Sequence, residues 1–290
     1  MSKPKREQPS KPKHKKQVKW QSRLKTIPWF AWVAIGLVAV AMLSFVSISV
    51  AGKSSNSHKP VELRAAIIDQ LYSMYPNEGL MTEFAKQLED HGFGVDFYQG
   101  DAVTVDLYRE LPGYGYRLII LRTHSGILSH ETDSGREVTR ATALFTNEEY
   151  TETKHVKEQL NGELAQARVG PGYPIVFGIG ARFVKYSMRS DFKGSVIIMM
   201  GCSGLSLRDL ASAYSDRGAS LYLAWDGLVG LHYLDEAGLQ LLKNLFAEDT
   251  TVGDSVENTM ESIGPDPDSG ARLGYYPPQS GSKTFMQLIE

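Results

Sequence analysis

Residues 118–126 have the sequence LIILRTHSG, and residues 196–204 have the sequence VIIMMGCSG. Each segment begins with four or five consecutive apolar residues and passes directly into polar residues and glycine. Continuous apolar runs of this length are typical of central parallel strands, because helices cover both faces of a parallel sheet. The two segments therefore predict an α/β fold built on a mostly parallel sheet.

The flanking sequence predicts an alternation of strands and helices. Further strands are predicted at residues 64–69, 95–98 and 220–225. Apolar residues at helical spacing predict helices at residues 80–88, 105–111, 205–217 and 234–245. Asn77 is a candidate N-cap for the first of these helices, and Gly92 closes the segment that contains it. This alternation predicts a three-layer α/β/α sandwich.

Residues 127–193 interrupt the alternation. The stretch 136–166 is polar and mostly helical in composition, while 173–179 and 182–186 predict a short hairpin around Gly180. An insertion beside a strand end commonly forms part of a binding cleft, although it can also be an inert elaboration. Near the C-terminus, residues 284–289 are predicted to form an edge strand.

The formal net charge of -2 combines two unlike parts of the chain. Residues 1–27 contain ten Lys and Arg against one acidic residue, so the remaining residues carry about -11. Residues 28–51 are almost entirely apolar, which predicts one transmembrane helix. The basic flank predicts a single-pass protein of the cell membrane with residues 1–27 in the cytoplasm and the C-terminal domain outside it. A cleaved signal peptide, with Ser49-Val50-Ala51 as its cleavage site, is the alternative.

Residues 52–60 form a short polar linker, and residues 61–290 are predicted to form one folded domain. The basic tail has only Trp20 as a ring on which a base could stack, so nucleic-acid binding is not predicted. Its cations are expected to fix orientation and to contact anionic lipid.

Four polar residues, Asp69, His124, Cys202 and Asp226, come directly after predicted strands. Ligands bind beyond the carboxyl ends of the strands in open α/β sheets. Cys202 is the only cysteine, so it forms no intramolecular disulfide. A single cysteine is commonly a small buried apolar residue. Here, however, a histidine follows an equivalent apolar strand, and an imidazole close to a thiol can deprotonate it.

Other site chemistries fit the sequence less well. The Gly-x-Ser-x-Gly nucleophile motif of the α/β-hydrolases is absent, and Met200 replaces the glycine expected two positions before the cysteine of a class I glutamine amidotransferase. His124, His130, Glu131 and Asp133 match no standard spacing of metal ligands. No metal and no cofactor are therefore predicted.

The chain from about residue 64 to residue 245 resembles the caspase-like cysteine peptidases, with the gingipain, clostripain and CHAT-type members the most similar. The resemblance rests on LIILRTHSG at His124, VIIMMGCSG at Cys202 and GASLYLAWDGLVG from Gly218. It implies a caspase-like sheet, a peptide or protein substrate, His124 as catalytic imidazole and Cys202 as nucleophile. Backbone N–H groups at Ser125, Gly126 and Cys202 would form the oxyanion hole.

The family pattern is not matched throughout. Most members have glycine directly after the histidine, whereas here Ser125 intervenes. Arg-specific relatives have Asp two residues before the cysteine, where this chain has Met200. An acidic specificity pocket would therefore depend on Asp69 or Asp226, and Trp225 is a further candidate for substrate binding. Each carboxylate could instead cap a helix or bond to a loop.

Two functions follow from the resemblance. The first is a membrane-anchored cysteine endopeptidase, a hydrolase that acts through a thioester acyl-enzyme. The alternative is a non-catalytic caspase-like sensor or scaffold tethered to the membrane. The oligomeric state is not predicted.

Overall fold

Ten strands and eight α-helices make up the part of the chain that the computed structural model describes, residues 63–131 and 137–290. The strands are β1 (Arg64–Asp69), β2 (Gly94–Gln99), β3 (Leu118–Arg122), β4 (Ser125–Glu131), β5 (Glu137–Glu149), β6 (Leu164–Ala167), β7 (Val176–Gly180), β8 (Val196–Met200), β9 (Leu221–Trp225) and β10 (Leu273–Tyr276). The helices are α1 (Glu78–Asp90), α2 (Val105–Glu110), α3 (Val156–Leu160), α4 (Ala181–Tyr186), α5 (Asp209–Asp216), α6 (Leu231–Leu245), α7 (Val252–Ile263) and α8 (Phe285–Ile289).

The larger sheet has six strands in the order β2–β1–β3–β8–β9–β10. The first five strands in this order are mutually parallel, and β10 pairs antiparallel with β9. The prediction of an α/β fold with a mostly parallel sheet is therefore confirmed. The prediction of an edge strand at residues 284–289 is wrong, because Thr284 forms a capping box and starts helix α8. The edge strand in the C-terminal part of the chain is β10 instead.

Both faces of the larger sheet are covered, which explains the unbroken apolar runs. Side chains such as Ile67 and Ile198 lie in one core with α1, α6, α7 and α8. Their neighbours Ile68 and Met199 lie in a second core with α2, α4 and α5. Successive residues of a strand point to opposite faces, so a strand between two cores needs apolar residues at every position.

Local signals fix several helix ends. The side chain of Asn77 accepts a hydrogen bond from the N–H of Leu80, as expected for an N-cap. Gly92 follows α1 with φ +82°, a backbone conformation that glycine adopts without steric cost. The helix after Cys202 begins only at Asp209, later than predicted, because residues 201–208 form a loop.

The insertion folds as a second sheet, with strand order β4–β5–β7–β6 and antiparallel pairs throughout. The predicted helical character of residues 136–166 is wrong for most of its length, since β5 and β6 lie there. The predicted hairpin around Gly180 is also wrong, because β7 leads directly into α4. Strand β5 has charged residues at its ends and a buried centre at residues 142–146, and composition does not distinguish this pattern from an exposed helix.

The predicted cytoplasmic tail (1–27), transmembrane helix (28–51) and linker (52–60) lie outside the described residues. Within 63–131 and 137–290, no helix combines the length and the apolar composition needed to cross a membrane.

Candidate active site

His124 and Cys202 occupy equivalent positions beyond two neighbouring parallel strands. Strands β3 and β8 pair with Arg122 opposite Met200, and the N–H of Thr123 donates to the Met200 carbonyl at 2.9 Å. His124 lies two residues after Arg122, and Cys202 lies two residues after Met200. The structure therefore brings the two predicted catalytic residues to the same edge of the sheet.

The two strand ends approach each other closely at Gly201. A Cβ atom built on this glycine would lie 2.3 Å from the Thr123 carbonyl oxygen and 2.9 Å from Ser125 Oγ. Ser125 also donates from Oγ to the Cys202 carbonyl at 2.6 Å. Glycine at position 201 is thus required by the packing of the segment that carries Cys202 against the segment that carries His124.

The imidazole of His124 lies in a largely apolar environment. Its ring centroid is 6.1 Å from those of Tyr75 and Phe145, and Nε2 is buried with no hydrogen-bond partner among the described residues. Burial lowers the pKa of His124, and the nearby Arg122 cation lowers it further. The ring is consequently neutral at pH 7, with a nitrogen free to accept a proton.

Two amide side chains hold the backbone at His124. Gln70 Oε1 accepts from the His124 N–H at 2.9 Å, and Gln70 Nε2 donates to Asn147 Oδ1 at 2.6 Å. Asn147 in turn donates to the carbonyls of Gln70 and Gly100, both at 2.9 Å. Neither amide was predicted, because the contact joins residues far apart in sequence. The one available signal was the position of Gln70 directly after a strand-ending aspartate.

Asp69 forms part of a buried ionic cluster below the site. Arg122 donates from one guanidinium nitrogen to Asp69 at 2.8 Å and from two others to Asp235 at 2.8 and 3.0 Å. Asp69 and Arg122 have no solvent exposure. Burial raises the pKa of Asp69 against the opposing effect of Arg122. The prediction that Asp69 binds substrate is not supported in this conformation, because its carboxylate is enclosed as a counter-ion of Arg122.

Arg122 and Asp235 complete this cluster next to the site, and neither is predicted from the sequence. Charged residues are rarely buried without a partner. The appearance of Arg122 at the end of an unbroken apolar run, in the position equivalent to Asp69 on the neighbouring strand, could have predicted the ion pair.

Cys202 is partly exposed and lies in a loop that is tied to the loop after β9. The Cys202 Sγ atom is 3.8 Å from the Val229 carbonyl oxygen. Ser203 has φ +57°, and its N–H donates to the Gly227 carbonyl at 2.7 Å. A non-glycine residue with positive φ is uncommon and needs such support from its surroundings. The chain thus holds a partly accessible thiol on a constrained turn.

The three predicted oxyanion donors differ in availability. The Phe145 N–H donates to the His124 carbonyl, and hydrogen bonds alternate along an antiparallel pair. The Gly126 N–H therefore faces β5 and is used in the sheet. By the same alternation the Ser125 N–H points away from β5, and the Cys202 N–H donates to no backbone carbonyl among the described residues. These two are the donors that could hold an oxyanion.

The other predicted substrate-binding residues also differ. Trp225 is fully buried, and its Nε1 donates to the Tyr233 hydroxyl at 3.3 Å, so a substrate would not contact it here. Asp226 is exposed, and its carboxylate accepts from the Arg272 N–H at 2.7 Å. Asp226 is therefore the one of the three candidates that faces solvent. The side chains of His130, Glu131 and Asp133, weighed as metal ligands, lie outside the described residues.

The geometry describes a partly exposed thiol and a neutral imidazole at one sheet edge, with candidate N–H donors at Ser125 and Cys202. Comparison of the sequence with models of known protein families and with curated proteins finds no match to either.

Proposed function

We propose that the chain is a membrane-anchored, caspase-like cysteine endopeptidase in which Cys202 and His124 form the catalytic dyad. The observation that carries the proposal is the equivalent placement of the two residues beyond β3 and β8. The imidazole Nε2, which has no hydrogen-bond partner in the part of the chain that the structure describes, supports it, because a general base needs a free nitrogen. The mostly parallel sheet with helices on both faces agrees with the fold that the resemblance implies.

The reaction is an acyl transfer in two steps. Neutral His124 takes the thiol proton while Cys202 Sγ attacks the carbonyl carbon of the peptide bond, and the N–H groups of Ser125 and Cys202 hold the resulting oxyanion. Collapse of this intermediate breaks the C–N bond, and His124 gives its proton to the departing amine. Water then attacks the thioester with His124 as base, which releases the acid and restores the thiol.

Asp226 is the carboxylate that would select the residue before the cleaved bond. Its exposure and its position directly after β9 favour a contact with an Arg or Lys side chain. Profiling with peptides that differ in this residue tests the assignment. Cleavage after Arg or Lys that Asp226→Ala abolishes would support it, and cleavage after neutral residues would contradict it.

Residues 28–51 would anchor the enzyme, with residues 61–290 outside the cytoplasm. Proteinase treatment of intact spheroplasts of cells that express the chain tests this orientation. The C-terminal domain should be degraded, whereas a cytoplasmic domain would remain protected.

Covalent labelling tests the dyad. The full chain in detergent is treated with a peptide that carries a thiol-directed electrophile in place of the cleaved bond. Labelling should disappear in Cys202→Ser and fall by at least about 100-fold in His124→Ala, because general base catalysis contributes roughly that much. The matched control is His232→Ala, which removes an exposed histidine at the start of α6 and should label normally.

The alternative, a non-catalytic sensor or scaffold, is favoured by one observation. The N–H of Gly126, the glycine displaced by Ser125 from its usual place after the histidine, is used in the sheet. A folded chain in which Cys202 resists the probe would support this alternative and exclude the peptidase.

A further inference from the structure

The strand that follows His124 has an open edge. Strand β4 ends the order of the smaller sheet and pairs only with β5 among the residues that the structure describes. The pairing bonds fall at His124 and at alternate residues after it, so the N–H and C=O groups of Ser125 and Ile127 point away from β5.

That open edge faces the same side as Cys202. The N–H of Thr123 points to β8, where it bonds to Met200, and residues two apart in a strand point the same way. The C=O of Ser125 and the N–H and C=O of Ile127 therefore face the side where β8 ends, with no partner among the described residues, while the Ser125 N–H is the proposed oxyanion donor. An extended peptide is the partner that such groups recognise, since it supplies matching N–H and C=O groups.

The proposed reaction decides which part of the peptide lies there. His124 gives its proton to the departing amine, so the amine half of the substrate must lie on the His124 side of Cys202. Strand β4 begins at the residue after His124. The segment that follows the cleaved bond is thus the segment directed along β4.

A cavity of about 760 Å³ lies beside the same strand. Its apolar wall includes Leu128 of β4, Ala141 of β5, Ala165 of β6 and Ala181 of α4. A volume of several hundred Å³ is typical of sites for peptides or small molecules, and small alanine side chains leave room for a bulky apolar group.

The charged side chains in the cavity wall, Asp209, Glu163 and Arg182, each have hydrogen-bond partners within the protein. The two carboxylate oxygens of Asp209 accept from the N–H and the hydroxyl of Thr142 at 2.8 and 2.9 Å. The carboxylate of Glu163 accepts from Asn161 at 3.0 Å and from Ser187. Arg182 donates from Nε to the Asn161 carbonyl at 3.0 Å. Because these charges are already paired within the protein and most of the wall is apolar, the cavity favours an apolar ligand.

The cavity lies at a distance from the dyad that a short extended peptide can span. Leu128 is three residues from Ser125, which corresponds to about 10 Å along a strand. Resting on the proposed function, we propose that the leaving segment of the substrate adds as a strand to the open edge of β4. An apolar side chain about three residues after the cleaved bond then enters the cavity, and the enzyme selects substrates on this side as well as before the bond.

Quenched fluorogenic peptides test the inference. Two peptides share one sequence except at the third residue after the bond, which is Leu in one and Asp in the other. The full chain in detergent should give a kcat/KM ratio of roughly 10 to 100 in favour of Leu, the discrimination typical of an apolar pocket. N-methylation is tested at the second and at the third residue after the bond, and one of the two should lower kcat/KM, because alternate residues of an added strand donate to the edge of β4.

Variants that fill the cavity test whether the preference for Leu over Asp arises there. Ala141→Trp should bring the ratio close to 1, and Ala181→Trp provides a second filling variant in case the first does not fold. The matched control Ala247→Trp adds the same side chain at an exposed position after α6 and should keep the wild-type ratio. A wild-type ratio near 1, or a preference that survives both filling variants, would overturn the inference.

A binding measurement separates this inference from the proposed function. If the wild-type chain cleaves neither peptide, the peptidase proposal fails. Binding then tests whether the open edge of β4 and the cavity beside it still hold a peptide. The probe is a fluorescein-labelled hexapeptide with Leu at its third position, titrated against the Cys202→Ala chain by fluorescence anisotropy. Binding that Ala141→Trp weakens at least tenfold would support a peptide site at β4 and the cavity, whereas absence of binding would reject it.

Discussion

Replacing Gly201 by alanine tests the close approach of the two strand ends. The added Cβ would lie 2.3 Å from the Thr123 carbonyl oxygen, whereas ordinary contact begins at 3.4 Å, so the segments must separate by about 1 Å. Overpacking of this kind costs about 1–3 kcal/mol, and weakening of the 2.9 Å bond from Thr123 to Met200 adds about 1 kcal/mol. We expect Gly201→Ala to lower the free energy of unfolding by about 2–4 kcal/mol.

The same displacement should act on the chemistry. A misplacement of about 1 Å can reduce a rate by about 100-fold, so labelling of Cys202 should slow by that order in chains that remain folded. Urea unfolding followed by circular dichroism measures the stability, and the electrophilic peptide probe measures the labelling rate. Gly79→Ala is the control, because its Cβ would meet nothing closer than 3.8 Å in the first turn of α1. A Gly201→Ala chain within about 0.5 kcal/mol of the wild type, with an unchanged labelling rate, would refute the packing argument.

Three further predictions concern the surroundings of the imidazole. Burial and Arg122 lower the pKa of His124 below its ordinary value of 6.5, so the imidazole should stay neutral at pH 6.5 and labelling of Cys202 should fall only at lower pH. A loss of labelling at or above pH 6.5 would contradict the assignment of His124 as the base. Arg122→Met leaves the carboxylates of Asp69 and Asp235 buried without a cation and should lower the free energy of unfolding by about 3–5 kcal/mol; a loss under about 1 kcal/mol in urea unfolding would argue against the cluster. Gln70→Leu removes the acceptor of the His124 N–H and should cost about 1–3 kcal/mol and slow labelling; unchanged stability and labelling would mean that Gln70 does not position the imidazole.

The larger sheet could be predicted because strands that are buried on both faces are apolar at every position, which is visible in the sequence as an unbroken apolar run. The length and composition of the apolar runs in β3 and β8 are typical of buried strands and fit few other secondary structures. The sequence indicates the strands of the smaller sheet less clearly. Its strand β5 combines charged ends with a centre whose burial depends on β7, and that pairing is invisible to a local pattern. The sequence of the short helix α8 predicts a strand instead, because five residues are too few to display a helical period.

The site divides in the same way. His124 and Cys202 could be located because each follows an apolar strand, and the rule that parallel strands end at one edge places them together. The roles of Asp69 and Trp225 depend on side-chain direction, which the strand-end rule does not give. Asp69 points into the fold toward Arg122, and Trp225 points into the core with α6 and α7.

The chain passes from the larger sheet into the smaller one at His124, whereas Cys202 follows a strand of the larger sheet alone. The imidazole is therefore positioned by both sheets, whereas the thiol is positioned by one. The hydrogen bonds from Thr123 to Met200 and from Ser125 to Cys202 join the two segments at this junction. A substitution in either sheet that breaks these two bonds would separate the imidazole from the thiol even if neither catalytic residue is changed.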